Sequence, residues 1–369
     1  MRKMTSHTLL PVALAVLALA SGASAQGLVD ARSALTNFPE SQAVLYVNAR
    51  RITTEALPRL LPKADYDKLI AQARAVGFDV RDVDYLAAGV RFADPAQPSG
   101  IPEFLLVLRG KFSADALLAL ARVAASTQNL QPREETYLGR PIQVFDLTRL
   151  EGKGEGAKPP PLPYKEVAAV ALDANTLVVG VPAYVRAALD AEGGQGRLRD
   201  SLVNLAATDP NALWSLTAEL PDNLAEYVQK MGLPQNEEAN RVLGWLKQVS
   251  FSNGMDALSF TLRAAVMTDN PDHANAISGL VRMGLTAAES AAQRDIERKR
   301  RKPAESRQAQ IALNAIRTFT NRTEGSTVLL GVAVPQRAVA EVVRKEFVKK
   351  PAPKAAPRPR GRRRATRRR

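Results

Sequence analysis

Ala43-Val44-Leu45-Tyr46-Val47 is an unbroken apolar block rich in β-branched and aromatic side chains, the pattern of a buried strand. Helical spacing follows it. Thr53 can cap a stretch with Leu57, Leu60 and Leu61 on one face, which Pro58 and Pro62 keep short or broken. Asp65 opens a second helix with Leu69, Ile70, Ala73 and Val76 inward and Gly77 as its stop. The segments 85–92 and 104–108 read as strands around a turn-rich Asp94 to Gly100, and Ser113 caps a helix carrying Leu117, Leu118, Leu120, Ala121 and Val123. Short strands near Tyr137 and over 142–145 bracket Gly139. Beyond the low-complexity loop 151–163, a hairpin of 167–172 with 176–181 runs into a helix that starts at Pro182.

The second half repeats this order. Ala212-Leu213-Trp214-Ser215-Leu216 followed by 221–228 mirrors the Ala43 strand and its helix, and Ala257 to Arg263 with the capped helix after it mirrors Leu106 to Arg109 with the Ser113 helix. The ends also match: Thr176-Leu177-Val178-Val179-Gly180-Val181-Pro182 against Thr327-Val328-Leu329-Leu330-Gly331-Val332, with Pro335 shortly after. These echoes predict an internal duplication joined near Glu192 to Gly196. The copies span 26–191 and 192–348, and the second carries a helical insertion near 273–315 whose basic end precedes Pro303. The expected fold class is α+β, with two related strand-helix-strand copies forming largely antiparallel sheets, helices packed on one face, and a disordered basic C-terminal tail.

The ends of the chain change the picture. Arg2 and Lys3, the apolar run Leu9 to Ala20 and the small residues Ala23-Ser24-Ala25 have the order of a secretory signal cleaved between Ala25 and Gln26. That run falls short of the ~20 residues of a membrane span, so no transmembrane helix is expected after processing. Export would place the protein in the periplasm or extracellular space. The chain has no cysteine, which excludes disulfides, a cysteine-linked lipid anchor, thiolate metal sites and cysteine nucleophiles.

The formal charge is +14, but Lys349, Lys350, Lys354, Arg358, Arg360, Arg362, Arg363, Arg364, Arg367, Arg368 and Arg369 carry 11 of it, with no acid among them. Arg2 and Lys3 carry two more, which leaves +1 on the mature body. A near-neutral body with one basic extension differs from a uniformly basic nucleic-acid-binding domain. The tail also lacks large apolar side chains, so it cannot fold on its own. Its eleven cations are the candidate polyanion-binding residues, and an exported chain would meet lipid phosphate, lipopolysaccharide or acidic glycan with them. A nucleic-acid partner would require that export fail, or a role in an extracellular matrix.

No catalytic, metal or cofactor constellation stands out. After cleavage His273 is the only histidine, too few for a histidine-ligated zinc site, and Asp269-Asn270-Pro271-Asp272-His273 reads as a helix N-terminus. Asp79, Asp82 and Asp84, with Glu55 or Asp67, lack the glycine-turned loop of a calcium site. The string Gly152 to Lys158 resembles a phosphate loop, but Pro159, Pro160, Pro161 and Pro163 deny it the helix such a loop needs. Trp214 in a strand and Trp245 on a helix with Val242 and Leu246 read as core residues, not carbohydrate platforms. Val339, Val342, Val343 and Phe347 form an apolar stripe on a last helix, which should pack on the sheet.

The opening Ala43 to Asn48 strand, the 85–92 segment and the closing hairpin and proline-started helices resemble uncharacterised exported bacterial envelope proteins built from a duplicated α+β unit. The resemblance covers most of the mature body. It implies a fold and an envelope location, and no activity. The function expected is that of an exported, non-enzymatic structural or binding module whose tail attaches to anionic surfaces. The alternative is a hydrolase using dispersed carboxylates in a cleft between the copies.

Overall fold

In a computed structural model that describes residues 30–75, 79–92, 101–128, 130–149, 163–230, 236–298, 310 and 313–348, all twelve strands join one antiparallel sheet. Its first half contains β1 Ala43–Val47, β2 Val83–Arg91, β3 Glu103–Gly110, β4 Arg133–Tyr137, β5 Arg140–Asp146, β6 Glu166–Asp173 and β7 Thr176–Gly180. The second contains β8 Ala212–Glu219, β9 Leu246–Met255, β10 Ser259–Thr268, β11 Thr320–Glu324 and β12 Thr327–Pro335. The spatial order is β11-β12-β10-β9-β8-β1-β2-β3-β7-β6-β5-β4. Read outward from the central pair β1 and β8, each half has three meandering strands, then its last strand, then the strand before it. The first half adds the β4–β5 hairpin, whose tip includes Gly139 at a φ of 75°.

Among the described residues eleven α-helices with both ends defined accompany the sheet: α1 Ala31–Leu35, α2 Ala49–Arg51, α3 Leu57–Leu60, α4 Lys63–Ala75, α5 Ala114–Ser126, α6 Pro182–Glu192, α7 Asp200–Ala206, α8 Leu224–Lys230, α9 Glu237–Trp245, α10 Pro271–Arg298 and α11 Gln336–Val348. Local chemistry sets several starts. Ser113 accepts from the Ala116 amide at the head of α5, and Asn270 accepts from the His273 amide at the head of α10. The expected start at Thr53 is displaced: Asn48 accepts from the Arg51 amide 3.0 Å away, so α2 begins earlier. A π turn at Ile52–Ala56 then connects α2 to α3 and brings Pro58 into the helical run without a break. Thr53 sits inside that run, its hydroxyl donating to the Ala49 carbonyl.

Strand alternation assigns the two faces of the sheet. On one, Val44, Tyr46, Tyr85, Ala87, Leu105, Val107, Val170 and Val178 are buried against Leu35, Phe38, Tyr184, Val185, Leu189, Leu202 and Val203. This is the main core, covered by α1, α6 and α7. The approach is close at Gly89, where a Cβ would lie 2.5 Å from Phe38 and 2.7 Å from the Tyr184 hydroxyl. That hydroxyl is hydrogen-bonded to Ser41, and burial pushes its pKa up to about 12.

Helices also reach the opposite face, chiefly over the ends of the strands. α4 packs Ile70 and Ala73 with Val83 and Leu108, and α10 packs Ala274 and Ile277 on Val266, Val328 and Leu330. α2, α3 and α11 close the other end of the second half, where Ile52, Leu57, Leu60 and Val339 meet Val47, Trp214 and Phe260. The last helix therefore packs on the sheet, as its apolar stripe predicts. A buried arginine ties this end together: Arg51 donates to the carbonyls of Asn211 at 2.8 Å, just before β8, and of Met255 at 3.0 Å, at the end of β9, linking a first-half helix to the second half.

Candidate functional site

Between α10 and α11 the second half leaves an apolar trough on its outer face. The register places Leu45 opposite Leu216, Leu216 opposite Phe251, Phe251 opposite Ala264, and Ala264 opposite Leu330, so all five point the same way. Leu216, Phe251, Ala264 and Leu330 line a cavity of about 390 Å³ together with Trp214, Leu262, Phe319 and Val332, and Ser252, Arg263 and Gly331 also border it. Its floor is open: Leu216 is 41% exposed, Phe251 48% and Leu262 49%. Contiguous exposed apolar side chains are a surface feature of interaction sites.

The other face of the same strands is polar. Ser215, Thr217, Ser250 and Ser252 are buried there, with the Thr217 hydroxyl donating to Ser250 at 2.9 Å. Farther out, Arg263, Arg322, Thr208 and Thr320 line a second cavity of about 280 Å³. Acids already meet both arginines, since Asp209 lies 3.5 Å from Arg263 and Glu324 lies 3.3 Å from Arg322.

The seam between the halves bears on the hydrolase alternative. A cavity of about 670 Å³ at the ends of β8 and β9 holds two carboxylates, Glu219 and Asp222. Each has its own cation: Arg199 is 2.8 Å from Glu219, and Lys247 is 2.9 Å from Asp222. The hydrogen bond from Lys247 holds the Asp222 carboxyl below the usual carboxylate range. A general acid needs the opposite shift.

Other residues singled out in the sequence stay apart. Asp79 pairs with Arg74 and Arg81, Asp84 with Arg50, Glu55 with Arg51 and Asp67 with Lys63. Among the described residues no group of three or more His, Cys, Asp or Glu side chains could hold a metal ion. His273 stacks on Trp245 with ring centroids 4.1 Å apart, and its Nδ1 lies 2.5 Å from Asp269. That hydrogen bond lowers the Asp269 pKa. Trp245 ends α9 and, with Val242 and Leu246, packs on the α10 cluster. Trp214, half-buried, packs against the core cluster of Ile52, Leu213 and Phe260 and also lines the trough.

The leader with its Ala25 and Gln26 cleavage site, the Gly152 to Lys158 loop, and the eleven tail cations from Lys349 to Arg369 lie outside the described residues. Reading the sequence missed Phe251 because it missed β9. Lys247, Gln248, Ser250, Ser252 and Asn253 make that stretch look polar, yet Val249, Phe251 and Met255 recur at the period of a strand.

No family model matches the chain, and no curated protein does. Two solved structures similar to it are crystal forms of TP0453. Form III has a TM-score of 0.42 at 9% identity, covering 84% of this chain and 96% of that one. Form IV has a TM-score of 0.41 at 11% identity, covering 84% and 95%. Similarity at this level carries no function. Among the described residues no helix is long and apolar enough to cross a membrane.

Proposed function

We propose that this protein is an exported, non-enzymatic binding module of the bacterial envelope, held at anionic surfaces by its polybasic tail. On this reading the leader is removed after Ala25, and residues 26–191 and 192–348 descend from one duplicated unit. The open sheet face of the second copy is the binding surface. One juxtaposition supports the proposal: α11 packs by Val339 on the Phe260 cluster that Trp214, a residue of the trough lining, also packs against, and in the sequence the eleven-cation segment begins at the residue after α11. Near an anionic membrane each basic residue contributes on the order of 1 kcal/mol, an attraction that salt weakens.

The test compares the mature protein with a full-length variant whose eleven tail cations are glutamine. The mature protein should co-sediment with phosphatidylglycerol vesicles and come off as salt is raised, while the variant keeps its melting temperature and stays in solution. Equal retention of the two would sink the tail assignment.

A further inference from the structure

We infer that copies of this protein join head to tail through the two outer edges of the sheet, β4 of one copy pairing antiparallel with β11 of the next. In the sheet β4 has β5 as its one neighbour and β11 has β12, so among the described residues the twelve strands end in two open edges. Both edge strands are five residues long. An open strand edge is a template for another strand.

Turn chemistry says which backbone groups each edge offers. β4 meets β5 through Leu138 and Gly139, with Tyr137 opposite Arg140, and β11 meets β12 through Gly325 and Ser326, with Glu324 opposite Thr327. The pair that flanks a two-residue turn is hydrogen-bonded, and such pairs alternate along an antiparallel ladder. Arg133, Glu135 and Tyr137 therefore bond to β5, and Thr320, Arg322 and Glu324 bond to β12. The amides and carbonyls of Glu134 and Thr136 on one edge, and of Asn321 and Thr323 on the other, face outward. One register matches both sets, with Glu134 opposite Thr323 and Thr136 opposite Asn321.

The same register pairs the charges. It sets Arg133 opposite Glu324, Glu135 opposite Arg322 and Tyr137 opposite Thr320, all at non-hydrogen-bonded positions, where side chains approach most closely. These side chains share a face. Glu135 lies 2.6 Å from Arg186 of α6, on the helix-covered face, and Arg322 borders the cavity that holds Ser250 on that same face. Within each strand the charges already pair, Arg133 with Glu135 at 2.8 Å and Arg322 with Glu324 at 3.3 Å. Docking closes the two pairs into an alternating ring of charges. Direction agrees as well: neighbouring strands are antiparallel throughout, so β4 and β11, at opposite ends of twelve strands, run in opposite senses. A second copy in the same orientation thus presents its β11 antiparallel to β4. Pairing like with like about the same outward groups would set Glu135 against Glu135, or Arg322 against Arg322, and like charges directly opposite are destabilising. A contact between two different surfaces repeats, so it builds chains or rings of copies.

Proline tests the outward amides. Thr136→Pro and Thr323→Pro each remove an N–H that the chain itself leaves unused, so both variants should keep a melting temperature near the parent's. In sedimentation at about 0.15 M salt, where charges more than about 8 Å apart are largely screened, the average mass of the mature protein should climb with concentration past that of a dimer. Each proline variant alone should stay monomeric, and the two mixed should form a 1:1 dimer, since one keeps a free β11 and the other a free β4. Arg322→Glu with Glu324→Arg keeps an ion pair within β11 and opposes both charges across the junction, so association should weaken about tenfold. A mature protein that stays monomeric at every soluble concentration would overturn the proposal. So would a dimer that either proline variant still forms, or folded proline variants that fail to pair when mixed. Where a proline variant does not fold, the charge exchange decides, and association that it leaves undiminished overturns the proposal.

Discussion

The two halves of the sheet share a strand order and bury opposite chemistry. In the first half the helix-covered face carries Val44, Tyr46, Ala87, Val107 and Val178, and these side chains form the main core. In the second half the same face carries Ser215, Thr217, Ser250 and Ser252, while Leu216, Phe251 and Leu262 point the other way and stay half exposed. The closing helices account for much of the difference. From Thr176 to the start of α6 is six residues, and from the matching Thr327 to the start of α11 is nine. An odd difference of three sends the chain off the opposite face of a two-residue repeat. α6 therefore packs on the main core, whereas α11 packs by Phe260 and Trp214 on the outer face. The site α6 would occupy in the second half is left as the cavity of Arg263 and Arg322.

On this contrast the largest loss should come from the first-half core. Tyr184→Ala should cost about 3–5 kcal/mol in chemical denaturation, as other large aromatic truncations do. A cost below about 1 kcal/mol would mean that this core is looser than its burial indicates. Arg51→Ala should come next, at about 2 kcal/mol, because a buried guanidinium gives up two carbonyl partners across the seam. Hydrogen exchange should then report faster opening of β8 and β9 than of β6 and β7, and uniform loss of protection would argue that the halves melt as one unit.

Alkaline pH should also separate the halves. Burial raises the pKa values of Tyr46, Tyr85 and Tyr184, all in the first half. A phenol with a raised folded-state pKa adds stability that is complete below its ordinary value near 10 and is lost as pH climbs through the folded value, about 12 for Tyr184. First-half amides should therefore lose protection as pH rises from about 10 toward 12. Earlier loss in the second half would contradict this order. The smallest effect is expected at Leu216→Thr, within about 0.5 kcal/mol of the parent, since the side chain is already 41% exposed. A larger loss would show that the trough floor is part of a packed core.

Much of the first half was legible in the sequence. The Ala43 strand, the Ser113 cap, the β6–β7 hairpin and the helix from Pro182 each carry a local signal strong enough to place them. The helix after β1 was displaced because Asn48 competes with Thr53 as a cap and a π turn accommodates Pro58, neither of which periodicity reports. β9 was missed because its polar residues are the buried ones, the reverse of what alternation usually means. The trough went with it, since half its floor depends on pairing Phe251 with Leu216 and Ala264.

By itself the sequence determined the strand and helix signals, the matching order of the two halves, the absence of cysteine and the gathering of +11 at one end. These follow from residue type and local spacing, which need no partner. Only the tertiary structure decided which face of each strand is covered. A period of two marks two faces equally, and the choice between them depends on where distant helices dock. Three residues at the end of β12 sent α11 to the outer face, where it stands beside an apolar floor that remains open.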